Sequence, residues 1–460
     1  MRWLKQLAVV QEFGLIAVIA VLMAGLWLFT PSIPRSEFRA LIAADKVATT
    51  ADGFDVAFAS GKTEHFSSAK GWTLGQRGNT HRLERKERIP LPAAAKVEEV
   101  AEMRARVGGP FSYENQLGYR VTGSGSADGD YPTGEGHHWT LNSTDDGRRT
   151  LERDPHVNKF LNADNLFIVA TSASFYGIMA VGLTAIIVLG GIDLSVGAIY
   201  ALASVVGASL LHRMQEGAGS EGSVNLFVAL AAGVGVCCLI GATCGFINGA
   251  ASVGLGVHPF IITLGGMGVY RGTAFVITKG LSIGDLPPAY GNLIRTKVGG
   301  IEPVPLLVMI ATGLAGAFVF TRTVFGRRIF AIGGNETAAR YAGIPVRASK
   351  IWVFVLAGLL AGLSAAIAIG KYGSASSADG TGYELDVIAA AVVGGASLTG
   401  GRGTAIGAIL GAIVIQLINN GFEVLQIDAN YKQIVIGLAI VIAVVVDQMK
   451  TRFAGLGPRR

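Results

Sequence analysis

Apolar residues mass into long runs at the start of the chain and over its last two-thirds, and scatter in between. Leu7 to Thr30 is apolar apart from Gln11 and Glu12. From Asn165 the runs follow quickly, at 165–189, 194–211, 224–247, 259–278 and 303–321, then at 351–370, 387–399, 404–422 and 431–446. With the first these make ten, and most reach the ~20 residues a helix needs to cross hydrocarbon. The run 387–399 is short and predicts a broken or tilted element. Residues 31–164 are polar and charged. Two parts there read as helical, Glu37–Val47 and Ala93–Val107, while alternation at Phe54–Phe58 and Tyr119–Val121 predicts short strands. The pattern predicts an all-α polytopic membrane protein of about ten transmembrane helices carrying an inserted small α+β domain. The predicted units are a first span over 1–30, the insert over 31–157, a transmembrane domain over 158–450 and a tail over 451–460.

One polar connector stands out among the later runs, GRRIFAIGGNETAARYAGIPVRASK over 326–350. Its middle predicts a helix of about two turns, Glu336 to Ala342, with Ala338, Ala339 and Ala342 as small side chains. Asn335 can cap it by accepting a backbone N–H of the first turn, and Glu336 is favoured there by the helix dipole. Gly343 suits the left-handed position past the end, and Pro345 blocks continuation. A helix this short does not hold in water alone, so the stretch from Gly333 to Gly343 is expected to pack against something.

Composition and charge fix the class and orientation. Of 460 residues 51% are apolar and 64 are glycine, and the mean hydropathy is +0.49. The net charge of +6 does not point to nucleic acid: 18 of the 38 Lys and Arg lie in 31–164 beside 19 acids. The connector carries Arg327, Arg328, Arg340, Arg347 and Lys350, with Arg322 just before it, against Glu336 alone. By the positive-inside rule it faces the cytoplasm. Arg2 and Lys5 place the N-terminus inside, and the first run reads as an uncleaved span rather than a signal peptide, being long for one and lacking a clear cleavage site. Counting spans then puts the tail inside with the connector and residues 31–157 outside. Cys237, Cys238 and Cys244 share one apolar run and read as packing residues, with no disulfide or metal spacing. Gly241/Gly245/Gly249, Gly358/Gly362 and Gly407/Gly411 permit close helix packing, chiefly within the chain.

No catalytic or metal site emerges. SGKT at 60–63 lacks the first glycine of a phosphate-binding loop, and GAGSEG at 217–222 has no βαβ unit around it. Any ATP must therefore be bound by another subunit. GGIDLSVG (190–197) contributes Gly190, Gly191, Asp193, Ser195 and Gly197 as a candidate structural motif. Asp193 is predicted to accept the N–H groups of Ser195 and Val196, with solute contact as the alternative. GGASLTGG (394–401) echoes it. Phe260, Thr263 and Tyr270, in HPFIITLGGMGVYRG, are candidates to line a path, with helix packing as the other reading. Arg271 either snorkels or faces a wet cavity.

GGIDLSVGAIYALA, GGNETAARYAGI, GTGYELDVIAAAVVGGASLTGGRGT and QLINNGFEVL together resemble the ribose/xylose/galactose-type permeases of bacterial ABC importers, in the branched-chain amino acid/ribose permease superfamily. The resemblance runs over 158–450. It implies a non-catalytic subunit in the bacterial inner membrane, moving a monosaccharide such as ribose or xylose. Its implied partners are a cytoplasmic ATPase that holds ATP and magnesium, an extracytoplasmic solute-binding protein and a second permease subunit, identical or paralogous. It also implies that Gly333–Gly343 docks on the ATPase and that residues 258–272 lie near the path. The insert departs from the pattern. Nucleosides or other small polar solutes fit the same family, and an ion-coupled secondary transporter is the alternative from another class.

Overall fold

A computed structural model describes residues 2–34, 156–218, 224–298, 302–428 and 430–455, together with most of the strands and connections between 37 and 153. The chain divides into two compact units, residues 1–30 with 160–460, and residues 31–159.

The first unit is helical. Its elements are α1 (Arg2–Phe29), α2 (Ala163–Val188), α3 (Val196–Ala218), α4 (Leu226–Leu255), α5 (Pro259–Thr278), α6 (Pro288–Arg295) and α7 (Pro303–Arg322). They continue as α8 (Val324–Gly334), α9 (Glu336–Tyr341), α10 (Val346–Tyr372), α11 (Tyr383–Val393), α12 (Ala405–Val424) and α13 (Asn430–Gly455). Among the described residues eight of these, α1 to α5, α7, α10 and α12, are long and apolar enough to cross a membrane. Nine of the ten predicted runs lie on helices, and the tenth, 387–399, is broken, its first part on α11 and residues 394–399 in the loop that follows. Helix α11 has 11 residues, and α13 carries the apolar run 431–446 within its 26 residues.

Local chemistry sets many of the ends. Asn162 and Asn225 cap α2 and α4 by accepting Asp164 N and Phe227 N at 3.3 and 2.9 Å. Pro259 opens α5 at a position whose N–H would be unpaired in any helix. The core lies between α2, α3, α10, α11 and α12, where Ala173, Ile178, Ala185, Ala361, Ala365, Ala389 and Ala412 are fully buried.

The predicted small-residue pairs pack within the chain. A Cβ at Gly241 would overlap the Gly358 carbonyl oxygen, and one at Gly245 the Phe354 oxygen, so α4 and α10 touch backbone to backbone. Gly407 and Gly411 meet Gly394 and Ala390 of α11 in the same way. The three cysteines are free.

The second unit is built from antiparallel strands. β1 (Ser32–Pro34) pairs with β15 (His156–Asn158). β2 (Glu37–Phe38), β3 (Ile42–Ala43) and β7 (Trp72–Arg77) pair with β8 (Thr80–Arg85). β4 (Val47–Thr50), β5 (Gly53–Ala57) and β6 (Thr63–Ser67) form a meander. β9 (Glu87–Pro90), β14 (Arg149–Arg153), β13 (His138–Ser143) and β12 (Asp128–Asp130) form a sheet in that spatial order, and β10 (Pro110–Glu114) pairs with β11 (Arg120–Ser124). Val56, Phe66, Trp72 and Leu83 make a small core, with Phe66 and Trp72 edge to face at 5.0 Å.

The helical part of the α+β expectation is not confirmed among the described residues. Glu37–Val47 contains strands, not a helix, because its short apolar pairs find partners on β8 and β5. Among the described residues of this unit helical geometry is limited to 3-10 turns, at Lys46 and at Ser68–Lys70. Ala93–Val107 lies outside the described residues. The strand predicted at Phe54–Phe58 is β5, which buries Val56.

Candidate functional site

The connector holds two helices, not one. Thr323 breaks α7 from α8 and caps the latter, its hydroxyl accepting Gly326 N at 3.0 Å. Helix α8 buries Ile329 and Ile332 and turns Arg327 and Arg328 outward. The sequence reading missed it, although Ile329 and Ile332 stand three apart, at helical spacing. Asn335 then sits extended and accepts Ala338 N at 2.9 Å, which starts α9. Gly343 has φ +78°, and Ile344 N returns to the Ala339 oxygen at 3.0 Å. Glu336 is bound by Lys350 at 2.8 Å and Arg340 at 3.2 Å. The bond from Lys350 is the main reason its carboxyl is held below the usual carboxylate range. That bond also ties α9 to the start of α10.

Not every predicted docking residue faces outward. Ala339 is 4% exposed against its own chain, and Gly333 is half-buried. Ala338, Ala342 and Gly343 are exposed, and so are Arg340 and Tyr341. Tyr341, 88% exposed, is a contact candidate that sequence reasoning did not single out. An aromatic residue in a charged connector was the available signal.

At the Gly190–Gly197 motif, α2 stops in a Schellman turn. Gly190 has φ +81°, and Gly190 N and Gly191 N bond back to the Ile187 and Ile186 oxygens at 2.8 and 3.0 Å. Helix α11 ends identically one residue further along its echo: Gly395 has φ +95°, with Gly395 N and Ala396 N on the Val392 and Ala391 oxygens.

Asp193, 2% exposed, accepts Ser195 N at 2.7 Å and the Ser195 hydroxyl at 2.6 Å. That hydroxyl stands where the Val196 N–H was expected. Asn248 Nδ2 donates to Ser195 Oγ at 2.8 Å, and the Tyr270 hydroxyl donates to Asn248 Oδ1 at 2.8 Å. A buried four-residue chain thus links α5 through α4 to the loop before α3. Thr263 is fully buried and accepts Leu194 N at 3.1 Å. Of the three path candidates, Thr263 and Tyr270 therefore point into the helical unit, and Phe260 is 40% exposed. Gly197 admits no side chain, since a Cβ would overlap the Gly380 oxygen and sit 2.8 Å from Glu384 Oε2.

A further set of polar contacts lies around α11 and α12. Arg271 donates to the backbone oxygens of Ser377, Asp379 and Gly380 at 3.0, 2.6 and 3.2 Å. It clamps the loop before α11, which neither sequence reading anticipated. Asp386 is met by Asn419 Nδ2 at 3.4 Å and Lys432 Nζ at 3.5 Å. The Tyr383 ring lies 4.5 Å from Tyr176 and 5.4 Å from Tyr200. Asn165 and Asn420 exchange amide bonds at 3.0 and 2.7 Å. Among the described residues no three His, Cys, Asp or Glu side chains cluster to hold a metal ion. The arrangement offers an outward helix on a stiff mount and a polar interior between apolar helices.

Known proteins share this frame. Residues 165–444 match the family described as branched-chain amino acid transport system / permease component. The chain is 40% identical over 298 residues to the ribose import permease protein RbsC of Escherichia coli (strain K12), covering 63% of this chain and 88% of that protein. It is 40% identical over 294 residues to RbsC of Bacillus subtilis (strain 168), covering 64% and 87%. To the D-allose transport system permease protein AlsC of Escherichia coli (strain K12) it is 36% identical over 290 residues, covering 63% and 85%. No solved structure matches the chain. The matched range takes in the Gly190–Gly197 motif, the connector and α11, the segments whose motifs carried the resemblance. The chain belongs to the branched-chain amino acid transport system permease family, on the side of its sugar permeases.

Proposed function

We propose that the chain is the transmembrane permease subunit of an ATP-driven ABC importer for a monosaccharide. The observation that carries this is the 40% identity to a ribose import permease over 88% of that protein's length. The geometry supports it at one point above all: α9 is capped at both ends, tied to α10 by Glu336 and Lys350, and presents Ala338, Arg340, Tyr341, Ala342 and Gly343 outward. A rigid convex element of this kind suits docking into a groove on a cytoplasmic ATPase, which holds the ATP and its magnesium ion. Closure of the ATPase would pull on α9 and shift the subunit between outward- and inward-open states; a nucleotide moves that balance only by its differential affinity for them. A second permease subunit completes the pathway, and an extracytoplasmic binding protein delivers solute. The termini and the connector lie in the cytoplasm of a bacterial inner membrane, and residues 31–157 lie outside.

The test is a proteoliposome containing the permease, its ATPase and its binding protein. Ribose, D-allose, xylose and autoinducer 2 are offered in turn; a relative from Photorhabdus luminescens, 33% identical, is an autoinducer 2 import permease. One of them should raise ATP hydrolysis and enter only with ATP. Uptake driven by an ion gradient in the absence of ATP would refute the importer.

A further inference from the structure

Three stretches far apart in sequence meet beside α9: the last turn of α2, the last turn of α8 and the loop from 394 to 404. Gly401 N donates to the Val188 oxygen at 2.8 Å. A Cβ at Gly333 would overlap that same oxygen and stand 2.7 Å from Gly401 N. Gly400 has φ +83°, and a Cβ there would stand 2.7 Å from the Gly333 oxygen. At Gly401, φ +73°, it would stand 3.2 Å from Gly334 N and Cα. Three backbones therefore touch with no side chain between them.

We infer that this glycine junction is the element that carries a displacement of α9 into the transmembrane core. The inference rests on the reading above that α9 docks on an ATPase. A side-chain contact gives way by changing rotamer, whereas touching backbones have no such freedom. A second tie of α9, the Glu336–Lys350 pair, is made by two flexible side chains, 40% and 26% exposed. The junction is the stiffer of the two. It also reaches further: Val188 ends α2, five residues before Asp193. Gly400 and Gly401 lead to Thr404, which caps α12 by accepting Gly407 N at 2.9 Å. One push at Gly333 thus reaches two core helices and the root of the Asp193 chain.

Two matched pairs of variants test this in the reconstituted complex. Gly333→Ala and Gly334→Ala make the same change in the same helix, yet nothing lies within 4 Å of a Cβ at Gly334. Gly400→Ala and Gly256→Ala both put a side chain in the left-handed region, at φ +83° and +67°, yet only the first meets the junction, since nothing lies within 4 Å of a Cβ at Gly256. Gly333→Ala and Gly400→Ala should still co-purify with the ATPase. They should import about tenfold fewer solute molecules per ATP, within the range over which coupled sites usually communicate. Gly334→Ala and Gly256→Ala should stay within about twofold of the native ratio, well short of that range. Native coupling in Gly333→Ala, or an equal loss in Gly334→Ala, would overturn the inference. If Gly333→Ala fails to reach the membrane, the Gly400/Gly256 pair decides by the same criterion. Should the native complex itself show no solute-stimulated hydrolysis, the importer reading falls, and the junction's role falls with it.

Discussion

Replacing Asp193 separates two roles for a buried carboxylate. Its Oδ1 takes both the N–H and the hydroxyl of Ser195, which is 0% exposed. Asp193→Leu removes that acceptor and leaves two buried donors unmade. At about 1–3 kcal/mol for each the loss is about 2–6 kcal/mol, a large share of the ~5–15 kcal/mol that holds a typical domain together. The Ser195 hydroxyl would also lose its orientation towards Asn248, loosening the chain to Tyr270. Asp193→Asn keeps an acceptor at the same place. It weakens two charge-assisted bonds to neutral ones and adds one amide donor, a cost of about 1–3 kcal/mol. We expect the Leu variant to fall sharply in membrane level and in thermal stability, read by size-exclusion chromatography after heating. The Asn variant should insert, melt somewhat earlier and still transport. A Leu variant that melts with the native protein would show that these bonds count for little. An Asn variant at native abundance that no longer binds solute would make Asp193 a solute ligand.

Other expectations follow from the docking helix and the insert. Tyr341→Ala should weaken ATPase binding by about 2 kcal/mol, roughly thirtyfold, as for an exposed aromatic anchor at an interface; titration of the detergent complex measures it, and unchanged affinity would remove Tyr341 from the interface. Because the Glu336 carboxyl is held below its ordinary range, the stability it adds is present above that range and is lost as pH falls through its folded value. Hydrogen exchange over Glu336–Tyr341 should therefore stay flat near neutrality and rise only in acid, with Glu336→Gln abolishing the step; a rise already near neutral pH would refute this. Ile33 pairs with Val157 and Pro34 with His156, so the ends of the insert are already adjacent. Replacing residues 35–155 with Asn-Gly, a favoured hairpin turn, should leave a permease that inserts and co-purifies with its ATPase, and failure to insert would show that the spans depend on the insert.

What the sequence made legible was local. Asn335 and Gly343 announced a short helix because caps act within four residues, and the glycine pairs announced close packing because their spacing repeats on one helix face. What it hid was tertiary. The partner of Ser195 lies 53 residues on, at Asn248, just past the end of the apolar run 224–247. The resemblance implied docking for the whole stretch Gly333–Gly343, Ala339 included, but only the fold shows that the small side chain of Ala339 lets α9 lie against its own chain. In the insert, Glu37–Val47 has apolar residues at spacings that suit either a helix or broken strands, and pairing with β8 and β5 decided the matter.

The echo between GGIDLSVG and GGASLTGG shows how letters and geometry can part. By letters Gly190 aligns with Gly394; by structure it aligns with Gly395, the residue with positive φ that receives the helix end. A Schellman turn requires glycine at one position only. The neighbouring glycine is free to precede or follow it, and here it follows in the first motif (Gly191) and precedes in the second (Gly394). Each neighbour has its own reason to be small. A Cβ at Gly191 would crowd Ile186 Cγ2 at 3.1 Å, whereas Gly394 touches the backbone of Gly407. Two helices that must stop at a crowded end arrive at the same letters by separate constraints.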